Sequence, residues 1–305
     1  MPCDDERSGK VALSRLRGQL PRMTVVTRRR VAARVVRLDR SLEALPLFRL
    51  SDSADDGIIS WSDEQGRRWR VIPNPGDRLP GTFDQDVYIE LMHRFHEAGE
   101  PADGVIQFTL HAFLRAMGRR VDGRTYEQLR GALGRLERTA LESQGIYEVG
   151  PALERPDLRF TVLASAVVER RRTLDREQLP LFPSITTAEP GVARVVLSSV
   201  LRDNLAADHT VSLSAPFYWS LGSPVARRLY RLLEVARADD RLTWRIGLDE
   251  LAQQLPLAQR YPSHLQRVLQ PAHDMLIERG LLRAALIRQQ QREWFVDYML
   301  GSRPP

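Results

Sequence analysis

The chain has 305 residues, a single cysteine (Cys3) and a net charge of +6, with a mean hydropathy of −0.34. That length is enough to bury a large core and favours two domains over one. One cysteine excludes an internal disulfide and suits a reducing cytoplasm, and no apolar run approaches the ~18 residues that a membrane-spanning helix needs.

The charge is unevenly placed. Residues 1–40 hold ten arginines and Lys10 against Asp4, Asp5, Glu6 and Asp39, so the remainder of the chain is close to neutral. This leader is expected either to act as a basic nucleic-acid arm, through Arg28, Arg29, Arg30, Arg34 and Arg37, or to be solvated and partly disordered. Met23 is an alternative start. It lacks the apolar centre of a signal peptide.

In chain order, residues 41–80 alternate apolar clusters with turn residues. Leu45–Phe48 reads as a short ordered piece, and residues 57–72 read as a hairpin around Asp63–Gly66. Asp84–Ala98 is expected as a helix with Tyr88, Leu91, Met92 and Phe95 inward, and Val105–Thr109 as a strand. Leu110–Met117 follows as a helix capped by Thr109, and a long helix runs from about Thr125 to Ser143. Ile146–Val149 and Arg159–Arg170 read as strands. Residues 171–192, with three prolines, read as a linker.

The second half begins with strand Ala193–Leu197, helix Ser199–Ala207, strand Thr210–Leu213 and a short helical piece, Ser214–Leu221. The aromatics of that piece, Phe217, Tyr218 and Trp219, are expected to pack between domains. Pro224–Arg237 is a helix with Val225, Leu229, Leu232, Leu233 and Ala236 inward and Arg227, Arg228 and Arg231 on the opposite face. Strand Leu242–Ile246, helix Asp249–Leu255 ended by Pro256, and a helix from Tyr261-Pro262-Ser263 to Arg279 follow, with Gly280 as its stop. Strands Leu281–Ile287 and Trp294–Leu300 close the unit around the turn RQQQR.

Helix, strand, helix, helix, strand, strand is the order of a winged helix-turn-helix, and it occurs twice. The expected fold class is therefore α+β, with two tandem winged helix-turn-helix domains. The expected divisions are a leader at 1–40, a first domain at 41–170 with a hairpin extension, a linker at 171–192 and a second domain at 193–305.

On the helix starting at Ser263, Leu265, Leu269, Ala272 and Leu276 point inward. Ser263, His264, Gln266, Arg267 and Gln270 are left facing out near its N-terminal end, and these residue types suit base edges. Pro271 cannot donate to the carbonyl of Arg267, so base contacts are placed before it and a kink is expected there. Arg288 and Arg292 in the wing, and Arg119, Arg120, Arg124, Gln128 and Arg135 in the first unit, are candidate backbone contacts.

Ser223-Pro-Val-Ala-Arg-Arg-Leu-Tyr-Arg-Leu-Leu233, with Leu248–Leu255 and Leu269–Leu276, resembles bacterial plasmid replication initiators of the replication initiator protein A group, over roughly residues 82–300. The resemblance implies a C-terminal domain that reads repeated origin sequences (iterons) in double-stranded DNA. It also implies an N-terminal domain that contacts phosphates and forms a homodimer, with dimers repressing the protein's own gene. Gln178, Leu179, Leu181 and Phe182 resemble the short peptide by which partners dock on the bacterial sliding clamp; the same apolar residues would equally pin a linker to a domain. The sliding clamp and replisome-loading proteins are the partners implied.

Enzymatic signatures are not found. The only lysine sits in Gly9-Lys10-Val11, which excludes a phosphate-binding loop, and no histidine pair has the spacing of rolling-circle initiators. His93 and His96 share a helix face but lack a third ligand nearby, so no metal and no cofactor are expected. The expectation is a non-enzymatic, cytoplasmic, nucleoid- or plasmid-associated DNA-binding initiator. The alternatives are a transcriptional regulator or a winged-helix interaction scaffold.

Overall fold

The structure, a computed structural model, describes residues 35–50, 57–168, 192–239, 241–259 and 261–304. The leader's basic cluster and the clamp-like peptide lie outside these residues.

The end of the expected leader is a strand, β1 (Val35–Asp39), followed by the short helix α1 (Arg40–Glu43). Val36 and Leu38 are fully buried, which a solvated leader would not allow. Asp39 caps α1 by accepting from the Leu42 amide at 3.1 Å. Strands β2 (Ile59–Ser62) and β3 (Arg68–Ile72) form the expected hairpin, with Ile59 opposite Val71 and Trp61 opposite Trp69.

Helix α2 (Thr82–Glu97) buries the expected stripe of Tyr88, Leu91, Met92 and Phe95, but also Asp84, Gln85, Asp86 and Glu90. Its polar side therefore faces protein. Strand β4 (Val105–Thr109), helix α3 (Leu110–Ala116) and helix α4 (Gly123–Arg138) follow. The Asp122 carboxylate accepts from the Thr125 amide at 2.9 Å to start α4.

The long helix expected to reach Ser143 stops at Arg138. Ala140–Gln144 is instead strand β5, paired with β3 so that Leu141 lies opposite Val71 and Ser143 opposite Trp69. Leu141 and Ser143 are buried with period two, and the free edge of β3 offers their backbone a ladder, which outweighs the helical pattern. Ile146–Val149 is not a strand beyond one bridge from Val149 to Glu154. The span Arg159–Val168 divides into β6 (Leu158–Phe160) and β7 (Leu163–Val168), which belong to different sheets.

Strand β8 (Val192–Leu197) corrects the expected domain boundary. It lies between β4 and β7, pairing antiparallel with both, so it closes the first half's sheet rather than opening the second half. The stretch expected as an inter-domain linker thus follows one strand and precedes its paired neighbour.

Helix α5 (Ser199–Ala206) leads to β9 (Thr210–Ser214), which pairs with β1, Arg37 opposite Ser212. Helices α6 (Ala215–Ser220) and α7 (Pro224–Ala238) follow, then β10 (Thr243–Gly247), α8 (Leu248–Gln254), α9 (Pro262–Glu278), β11 (Leu282–Gln290) and β12 (Glu293–Leu300). The wing turn is shorter than the sequence pattern suggests. Gln290 pairs with Glu293, and only Gln291, at φ 58°, and Arg292 form the loop.

Among the described residues the sheets run β1-β9, β2-β3-β5-β6, β4-β8-β7 and β10-β12-β11. The last two share one plan. In each, the strand after the first helix pairs with the last strand, which sits in the centre. The expected α+β class holds, with the β2-β3-β5-β6 sheet as an addition to the first half. Residues 33–305 make one compact unit.

The arginine face of α7 is the largest departure from expectation. Arg228 and Arg231 are each 1% exposed. Arg231 donates to both carboxylate oxygens of the buried Glu43 (2.5 and 2.8 Å) and to Gln85 (3.2 Å), and its guanidinium lies over the Phe48 and Tyr88 rings. Arg228 donates to the carbonyls of Glu43 (2.9 Å) and Leu45 (2.8 Å). Burial, and then the neighbouring Arg231 charge, bring the Arg228 guanidinium down to about 9. Arg227 pairs with Asp86 at 2.6 Å, and the Tyr218 hydroxyl donates to the same carboxylate at 3.0 Å. Both faces of α7 are thus interior. Of the aromatics of α6, Tyr218 reaches α2 in the first half, whereas Phe217 packs against Tyr230 of the neighbouring α7.

Candidate nucleic-acid interface

Helix α9 offers the clearest polar surface. Its inward residues Leu265, Leu269, Ala272 and Leu276 are at most 1% exposed, as is His273, which shares a hydrogen bond with the Tyr298 hydroxyl at 2.9 Å. Burial brings the His273 imidazole down to about 4, so it is neutral under the wing. This anchored face sets the azimuth of the opposite one. Ser263, His264, Arg267 and Gln270 are exposed and Gln266 is half-buried, so all five predicted base-contact residues share the outer side of the N-terminal half of the helix.

Their readiness differs. Arg267 enters no ion pair among the described residues. The Gln270 amide already donates to Asp274 at 2.7 Å, a bond it must give up to reach a base. Pro271 lies inside the helix, and the acids Asp274 and Glu278 lie beyond it. The helix begins at Tyr261, which is 70% exposed and gives no side-chain cap.

In the wing, Arg292 sits at the tip and Arg288 lies on β11 opposite Phe295; both are exposed. Arg245, on β10, shares that side of the sheet. It lies over the Phe295 ring and pairs with Asp297 at 2.7 Å.

In the first half the predicted set divides. Arg120 (side chain 88% exposed), Arg124 and Gln128 stand on the open side of the α3–α4 turn and α4. Arg119 and Arg135 do not belong with them. Arg119 donates to the buried Asp86 at 2.7 Å, and Arg135 donates twice to the buried Asp84, at 3.1 and 2.8 Å. A buried carboxylate needs a counter-charge: Arg135 supplies it to Asp84, whereas Asp86 is shared between the half-buried Arg227 and Arg119, whose side chain stays 43% exposed. Arg135 reaches back along α4 over Gly131, where an added Cβ would lie 3.2 Å from its guanidinium. Arg115, exposed on α3, is a further cation near the α3–α4 turn that sequence reasoning missed.

Among the described residues no group of three or more His, Cys, Asp or Glu side chains is placed to hold a metal ion. His93 lies between Glu90 and Glu97, whereas His96 contacts Glu100. No described helix is long and apolar enough to cross a membrane.

Domains 2 and 3 of RctB superpose on this chain with a TM-score of 0.53 at 14% identity, covering 87% of this chain and 99% of theirs; that likeness is one of fold. The Pi initiator protein, solved in complex with iteron DNA, aligns over 89% of this chain and 99% of its own, at 11% identity and a TM-score of 0.47. No curated protein sequence matches the chain. The family model described as replication initiator protein A matches residues 37–274, most of the chain, and its match spans α7 and the first turns of α9. The chain belongs to the replication initiator protein A family.

Proposed function

We propose that this replication initiator binds double-stranded DNA sequence-specifically, through two tandem winged helix-turn-helix units, and recognises repeated sequences at an origin. The units are α2-β4-α3-α4-β7-β8 and α7-β10-α8-α9-β11-β12; the shared strand order of their sheets supports this reading. The observation that carries it is the outer face of α9, where Ser263, His264, Gln266 and Arg267 stand together above a rigid apolar inner face. Arg267 is the candidate for guanine, and the glutamines for adenine. Arg120, Arg124, Gln128, Arg288 and Arg292 would hold phosphates and set the register.

The same proposal has the protein act without catalysis or cofactor, repress its own gene, form homodimers through its first unit, and meet the sliding clamp through Gln178, Leu179, Leu181 and Phe182. Replacing Leu181 and Phe182 with alanine tests the last point: clamp capture should be lost while DNA affinity stays.

The deciding experiment is a footprint on the DNA flanking the gene. Protection of directly repeated sites of about one to two helical turns each is expected. Arg267→Ala should weaken binding by about 1–3 kcal/mol and relax selectivity at one base pair. Protection of one palindromic operator only, with plasmid maintenance unaffected, would favour a transcriptional regulator and overturn the initiator reading.

A further inference from the structure

Tyr261 is placed against the ordinary rules of helix stability. It is the N-cap of α9, with extended backbone (φ −87°, ψ 136°) and no side-chain capping bond. Side-chain oxygens cap α1, α3, α4, α6 and α7 (Asp39, Thr109, Asp122, Ser214 and Ser223). The N-caps of α2, α5 and α8 (Gly81, Ser198 and Gly247) make no such bond either, and among these uncapped starts only α9 places a large aromatic side chain. A serine or aspartate at 261 would satisfy an amide that tyrosine leaves to solvent. Nor does the ring contribute to the core, since Tyr261 is 70% exposed. It does have a fixed neighbour. The ring stands edge-on to the His264 imidazole, with centroids 5.9 Å apart and planes at 81°. His264 is one turn further along and belongs to the same exposed cluster as Ser263 and Arg267. A residue that breaks the local rule, with an oriented and exposed ring, belongs to function rather than to folding.

Building on the DNA-reading role of α9, we propose that Tyr261 is a specificity-determining residue. Its ring packs against the 5-methyl group of a thymine at the edge of the bound site, with His264 holding the ring's orientation. The N-terminal end of a recognition helix is the part that meets base edges. In the major groove the thymine methyl is the feature read by apolar contact rather than by hydrogen bonding. The Ser263, His264, Gln266 and Arg267 cluster supplies hydrogen-bonding groups only, and Tyr261 is the apolar surface beside it.

The test uses the full chain and the duplex protected in the footprint. Tyr261→Ser is the informative variant, because serine is a better N-cap. The expected result is a melting temperature equal to or above that of the parent, with the ratio of specific to non-specific DNA affinity reduced about ten-fold. Tyr261→Phe should retain that ratio, since the ring is kept. Replacing each thymine in turn by deoxyuridine should reveal one position where the parent loses about four-fold, the worth of one buried methyl. Tyr261→Ser should lose nothing further there. If Tyr261→Ser keeps its selectivity, or if Tyr261→Phe loses as much as Tyr261→Ser with no deoxyuridine effect, the assignment is wrong; the second pattern would mean a hydroxyl–phosphate contact. Arg267→Ala separates this from the underlying reading. If that variant loses selectivity while Tyr261→Ser does not, α9 reads DNA without Tyr261. If the parent protein shows no selective binding, the DNA-reading role itself fails.

Discussion

Replacing Glu43 by glutamine should destabilise this protein more than most single substitutions. Glu43 is fully buried and faces two buried guanidiniums, Arg231 at 2.5 Å and Arg228 at 3.6 Å. The cluster already carries one more positive than negative charge, and Arg228 tolerates this because the carbonyls of Glu43 and Leu45 accept its protons. Glutamine preserves shape and one acceptor but leaves two cations in the core with no counter-charge. Breaking a buried pair in this way costs about 3–5 kcal/mol, a large share of the ~5–15 kcal/mol that holds a folded protein together. Urea unfolding followed by circular dichroism measures the loss as a lower midpoint at unchanged slope. Arg228→Met provides the internal control. In the Glu43→Gln background it removes one stranded cation, so it should cost less there than in the parent, with a coupling of about 1 kcal/mol or more. A loss below about 1 kcal/mol for Glu43→Gln, or strict additivity with Arg228→Met, would refute the idea that α7 is held to the N-terminal segment by charge.

Two further outcomes follow from the same geometry. Burial pushes Asp39 up to about 7, against the hydrogen bonds it accepts from Tyr147, the Leu42 amide and Asn204, and it brings His273 down to about 4. The two act in opposite directions. Neutral His273 contributes stability that is present above about pH 6.5 and lost as pH falls towards 4. Protonated Asp39 contributes stability that is present below about pH 4 and lost as pH rises through 7. The effects are worth about 3 kcal/mol for His273 and about 4 kcal/mol for Asp39, so the parent's stability should change little from these groups between pH 4 and 6.5, whereas Asp39→Asn should expose a steeper acid loss; parallel pH profiles for parent and variant would contradict this. Arg119 and Arg124 should separate stability from DNA contact. Arg119→Ala should lower the melting temperature, because it strips a partner from Asp86, and leave the salt dependence of DNA affinity unchanged. Arg124→Ala should leave stability alone and reduce the slope of log K against log salt by about 1.

Much of the proposed reading face was legible in advance. The spacing of Leu265, Leu269, Ala272 and Leu276 defines one buried stripe, and a helix with a buried stripe has its outward residues determined by geometry alone; Ser263, His264, Arg267 and Gln270 followed. The cap Thr109 was equally local, because a capping side chain bonds within its own first turn. The order of the elements, and hence the α+β class, rests on the same short-range patterns.

What periodicity does not report is what the other side of an element meets. Arg228 and Arg231 have the spacing of a solvated face, yet that face is covered by Glu43, Gln85 and the Leu45 carbonyl, all more than a hundred residues away. Arg119 and Arg135 look like exposed cations until the buried Asp86 and Asp84 claim them. Ala140–Gln144 has residues fit for a helix and becomes a strand because the edge of β3 away from β2 is open to it, and β8 joins the first sheet because the gap between β4 and β7 is there. Local pattern by itself determined most of the elements and one side that each must hide. Tertiary structure decided which charges are free to meet DNA, because a buried carboxylate takes the nearest guanidinium wherever in the chain it lies.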